Sequence, residues 1–319
     1  MKIRTKNLVK WERRLNMDNV YCTILSKYRV YQGIILYRSL AFNTERFKLY
    51  ILCVDGESFD ICTKMNLTNA IIIRIIDLQN EQLISIKNQR ELNEYCWTLK
   101  PYLIEYVLNH PQSGICVIYV DADMCFFNDP SAIYKRNKEC DVMLSEHDYS
   151  NDYKGVEAYC GRYNSGFIVF RNVKNALKVL KWWQERCMEW CHDTLAEGKF
   201  GDQKYLDLIP VMFKNICSIK TPGVNIAPWN ELKYTFTAIN QKVKVDGDLL
   251  ICYHFSGFRV VERNKVALIV GSKKLYNLLH FPYINVLKGV MEDIEKVVPG
   301  FNGFNIEQKL SNDANYFDI

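Results

Sequence analysis

Two aspartates stand one residue apart at the end of an apolar run. Asp121-Ala122-Asp123 follows Ile115–Val120 directly, in the stretch ICVIYVDADMCFFNDP. Carboxylates at i and i+2 converge on one point where a strand turns. Hard oxygen ligands of this kind suit Mg²⁺ or Mn²⁺, which can in turn bridge a diphosphate. Asp-x-Asp is common on surfaces, where it merely caps a loop. Here the carboxylates abut a buried strand, and a bound cation offsets the cost of desolvating them. Other polar groups also stand beside expected elements: Asn164-Ser165-Gly166 ahead of the strand in YNSGFIVFRN, Gly201-Asp202-Gln203 ahead of Tyr205, and His254, after an apolar strand, with Gly257 in YHFSGFR. Asparagine offers both donor and acceptor atoms to a hydroxyl, and glycine permits close backbone approach. Asp202 also reads as a helix N-cap, and His254, as a single histidine, equally reads as structural.

The elements that must position these groups alternate between strand and helix. Asn19–Leu25, Phe47–Val54, Ala70–Ile76 and Ile115–Val120 are strand-like, rich in β-branched and aromatic residues. Tyr31–Leu40 and Glu91–Leu108 have helical spacing, with a boundary or kink expected at Pro101. This alternation predicts an α/β fold, a central, mostly parallel sheet flanked by helices. Ligands bind such sheets beyond the carboxyl ends of the strands, where Asp121 and Asp123 stand. Later in the chain, Val142–Leu144, Gly166–Phe170, Ile216–Ile219 and Leu249–Tyr253 read as short strands, Asn175–Leu195 as a helix, and the tail from Leu275 as short helices.

In these positions VIYVDADMCFFNDP resembles the strand and Asp-x-Asp signature of GT-A glycosyltransferases. Over residues 19–260 the chain is similar to the retaining family that includes glycogenin and bacterial lipopolysaccharide galactosyltransferases. The resemblance implies a Rossmann-like GT-A nucleotide-diphospho-sugar transferase fold. It also implies that Asp121 and Asp123 hold Mn²⁺ or Mg²⁺ on the donor diphosphate, with Ala122 against the ribose and His254 as the third metal ligand. Asn164, Ser165 and Gly166 then face the donor sugar. Asp202 binds its hydroxyls, and Gln203 lies near the anomeric carbon. Gly257 supplies backbone groups to phosphate. Where the family usually has a lysine three residues after that glycine, this chain has Val260, and Arg259 or Arg263 stands in as the phosphate contact. Lys100, in WTLKP, is placed near phosphate and sugar, a solvated helix lysine being the alternative. Thr23, Ser26 and Tyr28, at the end of the first strand, are placed at the nucleobase, where Tyr28 stacks on the base or packs on the following helix.

The expected activity is sugar transfer from a nucleoside diphosphate sugar, taken as UDP-linked, to a hydroxyl of a glycan or lipid-linked glycan, with retention. Inversion needs a carboxylate base, and Glu146 or Asp148, beside His147, could provide one. Gly223 to Asn225 and Pro228-Trp229-Asn230 form a further loop, with Trp229 a potential acceptor platform. A sugar nucleotidyltransferase is disfavoured, because SKYRVYQ after the first strand has no glycine until Gly33. A non-catalytic glycan-binding protein of the same fold is the alternative from another class.

The chain has 319 residues, 49% hydrophobic, enough for one large globular body. Three regions are expected: a basic arm over 1–18, a catalytic domain over 19–270, and a helical extension over 271–319. Lys2, Arg4, Lys6, Lys10, Arg13 and Arg14 against Glu12 carry the whole +5 net charge. The remainder is balanced, which disfavours a nucleic-acid partner. The basic arm is either a solvated terminus or a peripheral contact with anionic lipid. No signal peptide or membrane-spanning run is evident, so the expected location is cytoplasmic or peripheral on the inner membrane face. The abundance of Ile, Asn and Lys fits an AT-rich bacterial genome, hence surface polysaccharide synthesis. The 12 cysteines lack a paired CxxC, so they are expected as buried thiols in a reducing compartment rather than a zinc cluster.

Overall fold

The computed structural model describes residues 19–111, 114–153, 155–240, 242–269, 271–305 and 314–319; the basic arm expected over 1–18 lies outside them. Strand β1 (Asn19–Leu25) passes through a single 3-10 turn into α1 (Val30–Asn43). β2 (Phe47–Cys53) leads to α2 (Gly56–Lys64), whose N-cap Asp55 accepts a hydrogen bond from the Ser58 amide at 2.8 Å. β3 (Ala70–Arg74), α3 (Leu92–Asn109) and β4 (Cys116–Val120) complete the first half. Next come β5 (Met124–Phe126), β6 (Val142–Glu146), β7 (Tyr163–Arg171), α4 (Lys174–Glu189) and β8 (Ile216–Ser218).

Seven strands form one sheet in the order β3-β2-β1-β4-β7-β6-β8. It is mostly parallel; only β7 runs antiparallel to its neighbours, β4 and β6. β1 and β4 are buried on both faces, which their unbroken apolar sequences require. One face packs on α3 and α4 through Cys22, Tyr95, Leu99, Leu103, Val179 and Trp183. The other is covered in part by α1 and the segments after β4.

Helix α3 is held at its start by Glu94, which accepts from the Glu91 amide (3.1 Å) and the Asp193 amide (2.9 Å). The helix runs on through Pro101, where the sequence predicts a boundary or kink. Proline removes one backbone donor, and burial of both flanks outweighs that loss. β3 is shorter than expected, because Ile75–Leu78 turn into a 3-10 helix. α4 stops at Glu189 rather than Leu195.

β9 (Phe236–Ile239), β10 (Lys242–Val245) and β11 (Asp248–Leu249) form a small antiparallel sheet. The expected single strand Leu249–Tyr253 is therefore divided: its start pairs with β10, and its end becomes β12 (Cys252–His254), paired with β5. β13 (Phe258–Glu262) and β14 (Lys265–Leu268) form a hairpin. The tail holds one 17-residue helix, α5 (Phe281–Val297), and β15 (Asn315–Asp318), which pairs with β14. α1, the hairpin and α5 share a single apolar core through Tyr31, Ile34, Phe258, Tyr283 and Leu287.

The expectation of uniformly free cysteines needs correcting. Cys140 and Cys217 form a disulfide, with Cα atoms 5.8 Å apart. β8 pairs in parallel with β6, Cys217 opposite Met143, and this brings together two cysteines remote in sequence. Most of the others are buried free thiols, as their apolar surroundings predict.

Candidate active site

β4 delivers Asp121 to the carboxyl edge of the sheet. The Asp121 amide donates to the Gly166 carbonyl (2.9 Å), and the Tyr119 hydroxyl donates to Asp121 Oδ1 (2.9 Å). The turn that follows places Asp123 immediately before β5. β5 pairs with β12 so that Met124 stands opposite His254, and the Phe255 amide donates to the Asp123 carbonyl at 2.8 Å. This small ladder fixes His254 Nε2 at 3.0 Å from Asp123 Oδ1 and 3.8 Å from Asp121 Oδ2. Ligand atoms about 2.1 Å from one cation, in adjacent octahedral positions, lie about 3 Å apart. The three residues have one ligand atom each within 4.8 Å of one another, a donor set that can hold a metal ion.

Gly166 supports that fit. A Cβ there would lie 2.7 Å from Asn164 Oδ1, 2.7 Å from His254 Cε1 and 2.9 Å from Asp121 Oδ2. Any side chain would therefore press on His254 and Asp121, two of the three ligands. Burial opposes the charge on Asp123, yet His254 and then Arg29 hold its carboxyl well below the usual range.

Lys100 is wholly enclosed, its side chain only 3% exposed, so it is no solvated helix lysine. Its Nζ lies 3.1 Å from Asp121 Oδ1 and 3.5 Å from Asp202 Oδ2, and donates to Ser165 Oγ at 2.8 Å. Burial works against its charge, but Asp121 and Asp202 outweigh it and hold the lysine above its ordinary range. Asp202 is raised by burial, an effect Lys100 offsets in part. Asp202 is not a helix cap: a 3-10 helix begins at Lys204 with Gln203 at the cap position. The Trp183 indole donates to the Asp202 carbonyl at 2.9 Å, and Gly201 has φ +51°, with Trp97 3.1 Å from where its Cβ would stand.

An amide network links the other named groups. Asn164 Oδ1 accepts from the Gly166 amide (2.9 Å) and from Asn225 Nδ2 (3.2 Å), while Asn164 Nδ2 reaches Gln203 Oε1 at 3.5 Å. Asn164, Ser165, Gly166, Asp202 and Gln203 therefore lie together beside the carboxylates. Trp229 meets His254 edge-on (5.2 Å between centroids) and His147 likewise (5.3 Å), and His147 stacks on Tyr149 at 4.6 Å. Burial pulls His147 down to about 3, so it is neutral.

The other expected contacts lie as follows. Thr23, two residues before the carboxyl end of β1, is completely buried, and Ser26, just past that end, is buried. Tyr28 is half-buried with the Lys27 ammonium 5.2 Å from its ring centre. Ala122 is buried between the two aspartates. The Gly257 carbonyl accepts from the Ile269 amide at 2.9 Å. Arg259 lies beside Asp123, whereas Arg263 pairs with Glu295 at 3.6 Å. Arg29, which the sequence reading passed over, reaches Asp123 Oδ2 at 3.6 Å. Glu146 is gripped by Lys220 (2.6 Å) and Arg162 (3.0 Å), and Asp148 by Lys233 and the Tyr234 hydroxyl. Two open surface cavities, of about 350 and 740 Å³, lie elsewhere, lined by residues such as Tyr102 and Tyr106, and Met291 and Phe301.

The family model for nucleotide-diphospho-sugar transferases matches residues 47–239, which include Asp121, Asn164, Asp202 and Asn225. Two uncharacterized proteins of Bacillus subtilis (strain 168) are similar along nearly the whole chain. YfnF is 37% identical over 296 residues, 90% of this chain and 98% of its own. YfnD is 29% identical over 291 residues, 89% and 94% respectively. A solved structure of the galactosyltransferase LgtC with donor and acceptor sugar analogs shares the fold, with a TM-score of 0.55 at 11% identity over 85% of this chain and 95% of that one. No helix of the described residues is long and apolar enough to cross a membrane.

Proposed function

This chain belongs to the nucleotide-diphospho-sugar transferase family and is a GT-A glycosyltransferase, and from that premise we propose a metal-dependent, retaining transfer from a UDP-sugar to a glycan hydroxyl. The observation that carries the metal dependence is the convergence of Asp121, Asp123 and His254, one ligand atom of each within 4.8 Å of the others. Bound there, Mn²⁺ or Mg²⁺ would neutralise the charge that builds on the departing diphosphate.

The chain's own residues do the rest. Asp202 and Gln203 accept and donate hydrogen bonds to the sugar hydroxyls, and Asn164 is held for the same task by Asn225 and the Gly166 amide. Lys100 holds Asp121 and Asp202 in place as their shared buried partner. The bond between the anomeric carbon and the phosphate oxygen breaks, the acceptor oxygen bonds to that carbon, and the hydroxyl proton passes to the leaving phosphate. Retention is supported by the state of the two carboxylates an inverting reaction could use. Ion pairs offset the burial of Glu146 and bring it down to about 2, and Asp148 is tied to Lys233 and Tyr234, so neither is poised as a base.

The neutral aromatic wall of His147, Tyr149 and Trp229 fits the acceptor sugar. Surface polysaccharide synthesis, with a glycan or lipid-linked glycan as acceptor, is the role we assign. The test is release of UDP from UDP-glucose, UDP-galactose and UDP-N-acetylglucosamine with Mn²⁺ or with EDTA, followed by NMR of the transferred anomeric centre. Metal-dependent release with the donor configuration kept supports the reading. Release unaffected by EDTA, or an inverted product, overturns the corresponding part.

A further inference from the structure

Two guanidinium groups meet beside Asp123, those of Arg29 and Arg259. Val260 is buried in the core shared by the β13–β14 hairpin and α5, and Arg263 is engaged with Glu295. Arg29 Nη1 and Arg259 Nη1 donate to the same acceptor, the Phe258 carbonyl, at 3.4 and 2.9 Å. Guanidinium groups that share one carbonyl are close neighbours, and their mutual repulsion needs an anion. The carboxylate facing them is Asp123, 3.6 Å from Arg29 and itself one of the three metal ligands. Burial, then the nearby Arg29, pulls Arg259 down to about 9, a cost that a further anion would relieve. Arg29 follows the carboxyl end of β1, where nucleotides bind in open α/β sheets, and its side chain remains 26% exposed.

We propose that Arg29 and Arg259 form a paired guanidinium clamp for the diphosphate of the donor, Arg29 releasing Asp123 to the cation as it takes up phosphate oxygens. The inference rests on the donor reading given above. Planar guanidinium forks match phosphate oxygens two at a time, which a single ammonium does not do. Arg29 approaches from the start of α1 and Arg259 from β13, so the clamp closes on the diphosphate from two separate elements. Gln32 Oε1 accepts from Arg29 Nη1 at 2.6 Å and keeps that guanidinium aimed at the site.

The experiment measures binding, not turnover. Isothermal titration with UDP and with UMP, each with Mn²⁺, is run on wild type, R29Q, R29K and R259Q. Mn²⁺ alone is followed by the free-ion electron paramagnetic resonance signal. In R29Q, UDP affinity falls by about tenfold or more, while UMP affinity falls by much less. Mn²⁺ alone binds R29Q as tightly as wild type, or more tightly, because Asp123 has lost its competing cation. R29K recovers part of the UDP affinity, and it decides the matter if R29Q proves unfolded by circular dichroism. Equal losses for UDP and UMP, or weakened Mn²⁺ binding in R29Q, would show that Arg29 merely braces Asp123 and would overturn the clamp. A wild type that binds none of UDP, ADP, GDP, CDP or TDP sinks the donor reading. A wild type that binds one of them, with R29Q binding it equally well, sinks only the clamp.

Discussion

His254 stands opposite Met124 across a two-strand ladder, and this pairing brings its Nε2 to 3.0 Å from the carboxylate of Asp123. Backbone hydrogen bonds of the ladder position the two ligands, and their own contact joins them, so the site should be sensitive to anything that intrudes.

Gly166 lies close against His254 and Asp121. The variant G166A places a methyl group under 3 Å from three site atoms. Overpacking of this kind costs roughly 1–3 kcal/mol, or about one to two orders of magnitude in affinity for the cation and in kcat/KM. Titration of Mn²⁺ checks it: unchanged affinity would mean that the close contact of Gly166 with His254 and Asp121 does not shape a metal site.

Lys100 is the buried counter-charge for two carboxylates. K100M leaves Asp121 and Asp202 uncompensated and should destabilise the fold by about 3–5 kcal/mol. Because Asp202 is already raised and can take up a proton, the lower end of that range is expected. Urea unfolding at neutral pH measures it, and a variant as stable as wild type would contradict the role.

Glu146 and Asp148 should be dispensable for chemistry. E146Q and D148N are predicted to keep kcat within a few-fold, and Asn tolerates the left-handed backbone of position 148 (φ 52°). A loss of about 10²–10⁴-fold in either variant would instead identify a general base and point to inversion.

Acid should destabilise the C-terminal body. His280 is buried against Tyr253 and Phe255, and burial pulls it down to about 4. An unfolded histidine titrates near 6.5, so between those values the unfolded chain binds the proton the folded chain refuses. Stability is intact above about pH 6.5 and falls as pH drops toward 4, by up to about 1.4 kcal/mol per pH unit. H280F should flatten that slope in thermal melts taken from pH 7.5 to 4.5; an unchanged slope would rule His280 out as its source.

Much of this architecture can be read directly from the chain. Continuous apolar runs announce β1, β2 and β4, because strands buried on both faces need no polar alternation, and Asp121 and Asp123 are then found at a strand end by position alone. The β5–β12 ladder is another matter. Its strands are three residues each, too short to have a period, and their pairing depends on tertiary contacts. Arg29 was hidden because nothing local separates it from Lys27; its reach to Asp123 depends on the turn into α1. Only the resemblance puts Lys100 at the site, for a similar reason: one charge in an apolar helix does not reveal which face the sheet covers, so a solvated lysine stays the alternative. The Cys140–Cys217 bond likewise follows from the parallel pairing of β6 and β8, which cysteine spacing does not encode.

The central claim is that Asp121, Asp123 and His254 hold the cation through which a nucleoside diphosphate binds. It is tested most directly by the thermal midpoint of wild type and D123A in the presence of UDP, with Mn²⁺ or with EDTA. A ligand that binds only the folded state raises the midpoint. The account predicts a rise with UDP and Mn²⁺ for wild type, abolished by EDTA and absent in D123A. A rise of equal size in EDTA or in D123A would show that nucleotide binding does not depend on this metal site and would contradict the account.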